Sequence, residues 1–280
     1  RRQRQMCIRD RYKPTGDVKR RIIINGHTDS AYEWTLMKIR QEVMVGVLAV
    51  DLLCALASIV IFSINIAKGV TPLWSVIFAA CTVVAYIGLF FVCNFKVLSP
   101  GANDNLTGVF VAVSALKCLK ESGIRYENTE VCALLTGSEE AGLRGATAFT
   151  KRHKGENKDV ETYIIAFDTM RDYDYMTIYH RDMTGMVKNS PEVVALLDEA
   201  CNDPDVNHPL PHGVVPFGAS DAAAFSRGGF KAAAVAGQNP KYAPYYHNRR
   251  DTPDQMIPET FALGLDIALA AIEAFDRDQK

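Results

Sequence analysis

The chain has 280 residues, 48% of them hydrophobic, and a formal net charge of -1. That length can bury a full core and suits one large α/β domain or two small ones, while the near-zero charge gives no footing for a nucleic-acid partner. Seven cysteines with no CxxC pair do not form a disulfide framework and point to a reducing compartment.

Residues 1–20 open with RRQRQMCIRDRY, which has neither hydrophobic periodicity nor a signal-peptide layout. They are set aside as a non-family or artefactual flank, and the chain reads as a fragment. From Arg21 the text RRIIINGHTDS is a β-branched run that ends in Gly and polar residues, the pattern of a buried parallel strand with function at its C-terminal end. Residues 21–42 are taken as the first part of the main domain. The next two apolar stretches, 43–67 and 73–95, carry Asp51 as their one charged residue. Each is long enough to cross a bilayer core of about 30 Å as a helix, and both are apolar all round, so 43–95 is predicted to be a transmembrane hairpin in contact with lipid.

Residues 96–280 hold the main part of the domain. Predicted strands are TEVCALLT, ETYIIAFDTM and FKAAAVAGQ. Predicted helices are LTGVFVAVSALKCLKESG with a Gly C-cap, the short GLRGATAFTKRH, SPEVVALLDEACND with a Ser cap and an early Pro, and the amphipathic PETFALGLDIALAAIEAFDRD. Strands alternating with helices imply an α/β fold, a mixed and largely parallel sheet sandwiched by helices and interrupted by the hairpin.

The strand ends carry candidate ligands: His27 and Asp29 in GHTD, Asp104 in PGANDNLTG, Glu139 and Glu140 in GSEEAGLRG, and Asp168 in AFDTM, with His247 late in the chain in YYHNRRDTPDQM. Two imidazoles with several carboxylates and no cysteine form a mixed N/O set suited to hydrolytic zinc, with manganese or cobalt as substitutes. Singly, each motif has an ordinary structural explanation as a turn, a cap or a solvated pair. Their order carries the information.

The succession HxD, DNxTG, GxEExGLxG, Asp and YHxxxDT resembles the di-zinc aminopeptidase and glutamate carboxypeptidase family of exopeptidases, from about Arg21 to the C-terminus with the hairpin as an interruption. The resemblance implies that His27 and Asp168 bind one metal, Glu140 and His247 the other, and Asp104 bridges the two. It further implies that Asp29 orients His27, that Glu139 is the general base for a hydroxide bridging the two Zn²⁺ ions, and that Tyr246 is a candidate oxyanion donor. Asp221 matches a Ser-Asp pair that shapes a pocket loop. Gly101 and Gly108 would allow close approach around Asp104. Asn248 stands where the family often has Thr, and early strands of the sheet are missing.

The implied activity is hydrolysis of peptide substrates by a membrane-anchored exopeptidase, an aminopeptidase, with a carboxypeptidase, a dipeptidase or a non-catalytic receptor-type relative as alternatives. Arg249 and Arg250 are candidates for a substrate carboxylate or for a solvated pair. Lys38 and Arg40 before the first span and Lys96 after the second, against Lys68 between them, favour the cytoplasmic face for the catalytic domain. Nothing in the sequence addresses oligomeric state.

Overall fold

The computed structural model describes residues 7–37, 40–89, 92–155 and 160–277. Lys38, residues 1–6 of the flank and residues 90–91 of the second predicted span lie outside the described residues. The chain divides into two compact units, one made of Arg1–Ser30, Gly101–Pro240 and Thr252–Lys280 and the other of Ala31–Pro100 and Lys241–Asp251.

In chain order the elements are β1 (Cys7–Tyr12), β2 (Arg20–His27), β3 (Tyr32–Trp34), α1 (Gln41–Lys68), α2 (Leu73–Leu89), β4 (Cys93–Leu98), α3 (Thr107–Ser122), β5 (Thr129–Thr136), α4 (Arg144–His153) and β6 (Glu161–Met170). They continue with β7 (Met176–Asp182), β8 (Val187–Lys188), α5 (Pro191–Cys201), β9 (His212–Val214), α6 (Asp221–Arg227), β10 (Lys231–Gly237) and α7 (Pro258–Arg277).

The first unit is built on an eight-stranded sheet in the order β1-β5-β2-β6-β10-β7-β8, with β9 on β7. Its centre, β5-β2-β6-β10, is parallel, and those strands are the predicted ones. Side chains alternate across a strand, and the sequence uses both faces. Ile22, Ile24, Val131 and Ile165 point into a core with α3, α5 and α7, while Ile23, Cys132, Leu134 and Ile164 meet α4 and α6 on the other face. A strand covered on both sides reads as an unbroken apolar run for this reason.

Three expectations are corrected. Cys7–Tyr12, set aside with the flank, pairs antiparallel with β5 over its whole length; its burial alternates with exposed charged residues, so it lacks an apolar run. Ser190 precedes α5 as expected, but its hydroxyl donates to Glu192 and makes no cap to a backbone amide. The second predicted span, 73–95, is two elements, because α2 ends at Leu89 and Cys93–Leu98 is a strand paired with β3.

The second unit contains the β3-β4 ribbon, α1, α2 and the 241–251 loop. Among the described residues one helix, Glu42–Lys68, is long and apolar enough to cross a membrane, and Leu73–Ile87 is a shorter apolar helix. Helix α1 stops at Gly69, which takes the left-handed conformation (φ 63°) and donates to the carbonyls of Asn65 and Ile66. Helices α1 and α2 pack on each other, and their large apolar side chains face outward, with Leu53 65% and Ile59 64% exposed. The buried positions include Asp51, Asn65, Ser75 and Thr82. The order of a soluble helix pair is inverted.

Candidate metal centre

The parallel register brings the ends of the central strands level. Asn25 pairs with Ala166 and His27 with Thr136, so His27 and Asp168, each two residues past the Asn25–Ala166 pair, emerge at the same edge. Close approach there depends on glycine. A Cβ on Gly26 would fall 2.5 Å from the Gly108 carbonyl carbon, and one on Gly108 would collide with the Phe167 carbonyl oxygen. The start of α3 therefore sits directly against both strand ends, and the turn before it delivers Asp104. Asn105 donates to the Phe167 carbonyl and accepts from the Gly108 amide, which fixes that turn.

The side chains converge accordingly. His27 Nε2 lies 3.1 Å from Asp104 Oδ1, 3.7 Å from Asp168 Oδ1 and 3.9 Å from Glu139 Oε2. His27, Asp104 and Asp168 each offer a ligand atom, all within 4.8 Å of one another. Ligands about 2.1 Å from a tetrahedral zinc stand about 3.4 Å apart, so the observed spacings bracket the edge a zinc ion requires. The electrostatics agree. Burial alone would push the His27 pKa down, yet hydrogen bonds to Asp104 and Asp168 and the charges of Asp168 and Glu139 outweigh it and hold the group well above its ordinary value. These carboxylates favour a positive charge at this point, which a divalent cation supplies. The donor set fits a metal.

Asp29 does something the sequence did not announce. Its main-chain carbonyl, 3.0 Å from His27 Nδ1, is the nearer partner of the ring, and its carboxylate stands 3.8 Å away. The two carboxylate oxygens instead accept from the amides of Glu139 (2.9 Å) and Glu140 (3.2 Å). One residue thus fixes the imidazole and the paired-glutamate turn together. That turn has Ser138 at φ 59°, and the Glu139 carbonyl accepts from Gly142 and Leu143. Burial first, then the charges of Asp168, Asp221 and Glu140, hold the Glu139 carboxyl well above the usual carboxylate range despite the opposing effect of His27. A carboxyl raised in this way holds a proton more readily than a free carboxylate, as a group that accepts and returns one must.

Beneath the ligands lies a polar tie that includes Asp221, the residue matched to the Ser-Asp pair. The Thr136 hydroxyl joins Asp221, the Gly26 carbonyl and the Asn25 amide, linking the ends of β2 and β5 to the start of α6. Burial pushes the Asp221 carboxyl up to about 6. A Thr closing an apolar run and the Ser-Asp pair that contains Asp221 are the sequence signals for it.

Tyr246 and His247 belong to the second unit. There the Trp34 amide donates to the His247 carbonyl (2.8 Å), the Trp34 ring meets the imidazole edge-on, and Tyr246 stacks on it at 3.8 Å. Asn248 holds the loop by donating to the carbonyls of Pro244 and Tyr246. Arg249 is engaged by the buried Glu33 through Nε (2.7 Å) and Nη2 (2.8 Å), which assigns it a structural role and removes it as a free substrate anchor.

A profile of Peptidase family M28 matches residues 85–272, more than half of the chain. No curated protein sequence matches. Among solved structures, an aminopeptidase from Aneurinibacillus sp. strain AM-1 is similar with a TM-score of 0.60 and 20% identity, over 95% of this chain and 47% of that one. BSAP, a zinc aminopeptidase from Bacillus subtilis, gives 0.59 and 18% over 95% and 49%, and the glutaminyl cyclase of Fimbriiglobus ruber gives 0.61 and 14% over 96% and 74%. The chain spans about half the length of the two aminopeptidases. At these identities the likeness is one of fold.

Proposed function

Because this chain belongs to Peptidase family M28, we propose that it is a zinc-dependent exopeptidase and, within that class, an aminopeptidase. The observation that carries the reading is the convergence of His27, Asp104 and Asp168, with Glu139 3.9 Å from His27. His27 and Asp168 would hold one zinc ion, Glu140 and His247 would hold a second, and Asp104 would serve both; the assignment of Glu140 and His247 rests on the order of the motifs. When bound, zinc would polarise the scissile carbonyl and acidify a water.

The remaining work belongs to side chains of the chain itself. Glu139 takes the proton from the attacking water and delivers it to the leaving amine. Asp29 keeps His27 and the glutamate turn in a fixed relation, so that base and ligand act on one point. Tyr246 is the proposed donor to the tetrahedral oxyanion.

We further propose that the helical unit anchors the enzyme in a membrane, on the strength of the apolar exterior of α1 and α2. Residues 31–100 leave the sheet unit and return to it, so a chain that enters a bilayer along α1 comes back along α2, and the catalytic unit stays on one side. Arg40 and Lys96 favour the cytoplasmic side. The full-length protein should retain two zinc ions by elemental analysis, lose activity to a chelator, recover it with zinc, and cleave free peptides far faster than their N-acetylated forms. A purified, active protein with no metal would overturn the proposal, and equal rates on free and acetylated peptides would replace the aminopeptidase with another exopeptidase or an endopeptidase.

A further inference from the structure

In the second unit a cavity of about 580 Å³ is lined by Leu36, Val43, Gly46, Val47, Val50, Ala85 and Val92, together with a single carboxylate, Asp51. The size falls within the range of small-molecule sites, about 300 to 1,000 Å³. Asp51 is 7% exposed. Among the described residues no cation or hydrogen-bond donor stands against it. An ionisable group placed midway along an apolar helix is costly unless something answers it, and such groups mark functional positions.

We infer that this cavity binds a long-chain primary amine, with the ammonium on Asp51 and the alkyl chain against the valines and Leu36. The chemistry of the lining selects this class. A divalent cation needs several oxygen ligands and the lining offers one carboxylate. A quaternary ammonium favours an aromatic cage, and among the described residues no aromatic side chain lines the cavity. An ammonium is a compact charge with directed donors, which one carboxylate can accept. The apolar side chains exposed all round α1 and α2 fit a ligand drawn from a lipid phase.

Tyr246 and His247 share this unit, but neither Asp51 nor Gly46 is among the residues assigned to hydrolysis, so binding at the cavity can be tested with the hydrolytic residues intact. The full chain is reconstituted in phosphatidylcholine nanodiscs and titrated with radiolabelled dodecylamine, with empty nanodiscs as background. Saturable binding of one amine per chain is expected, with dodecanol at least tenfold weaker and Asp51→Asn at least tenfold weaker, while peptidase activity stays unchanged. Gly46→Leu is a second variant that keeps the carboxylate. A Cβ there meets nothing within 4 Å, so the larger side chain should fill the cavity and abolish binding. Equal binding by wild type and Asp51→Asn, equal affinity for dodecanol, or no saturable binding to a folded wild-type chain would each overturn the inference. The last result would leave a basic residue of another protein as the partner of Asp51.

Discussion

The two units obey opposite rules. In the sheet unit Ile22, Ile24, Ile165 and Phe167 are buried, and exposed charged groups such as Lys117 and Glu121 pair on the outside. In the helical unit Leu52, Leu53, Ile59 and Val60 are outside, and Asp51, Asn65, Ser75 and Thr82 are inside. Ser58, Ser75 and Thr82 donate their hydroxyls to carbonyls of the preceding turn, as polar groups do where water is scarce. One chain thus carries two burial codes.

That contrast can be broken or sharpened by substitution. The largest effect is expected at the sheet edge. Glu139→Gln should keep the metal and lose about 10²- to 10⁴-fold in turnover, measured as kcat alongside metal content, and parallel loss of both would reassign Glu139 from base to ligand. Next is the core. Ile165→Ala should cost about 2 to 5 kcal/mol, whereas Ile59→Ala should cost under about 1 kcal/mol, because Ile165 is fully buried and Ile59 is not. Denaturant titration in detergent compares the two, and equal losses would mean that α1 is packed against protein.

Ile59→Asp addresses the lipid side directly. An aspartate near the centre of a spanning helix costs about 2.5 to 3.5 kcal/mol, so the membrane-bound fraction in cell fractionation should fall while the soluble domain signals persist. An unchanged fraction would remove α1 as the anchor. The smallest effect concerns Asp182, whose carboxyl burial raises above its usual 3.8 even though Ser220 and Met183 donate to it. The folded state therefore binds this proton more tightly than the unfolded state. The stabilisation is full below pH 3.8 and is lost as pH rises through the elevated value. Asp182→Asn should flatten the pH dependence of stability in that window, and an unaltered slope would show that other groups set it.

What the sequence made legible follows from how each element is covered. Strands β2, β5, β6 and β10 announce themselves because both of their faces are buried. Strand β1 does not, since Arg9 and Asp10 interrupt it and half of its residues meet solvent, as suits an edge. Likewise β7 alternates buried and part-exposed positions, a period-two signal too short to stand out. The junction between α2 and β4 is hidden because the apolar run LFFVC crosses it without a break. Within the site, ligand types and their order were readable at strand ends. The twofold grip of Asp29 on backbone amides and the tie from Thr136 to Asp221 were not, because both depend on where a distant segment returns.

The segment between Ser30 and Gly101 begins and ends at nearly one point: a Cβ on Gly101 would lie 2.8 Å from that of Ser30. Such a segment is a cassette that a short splice could excise while the flanking strands keep their pairing. Excision would carry a penalty elsewhere in the chain, because Trp34 and Glu33 hold the backbone of His247 and the side chain of Arg249. Losing the apolar helices would therefore also release the loop with the last proposed zinc ligand, so anchor and ligand would be inherited as one module.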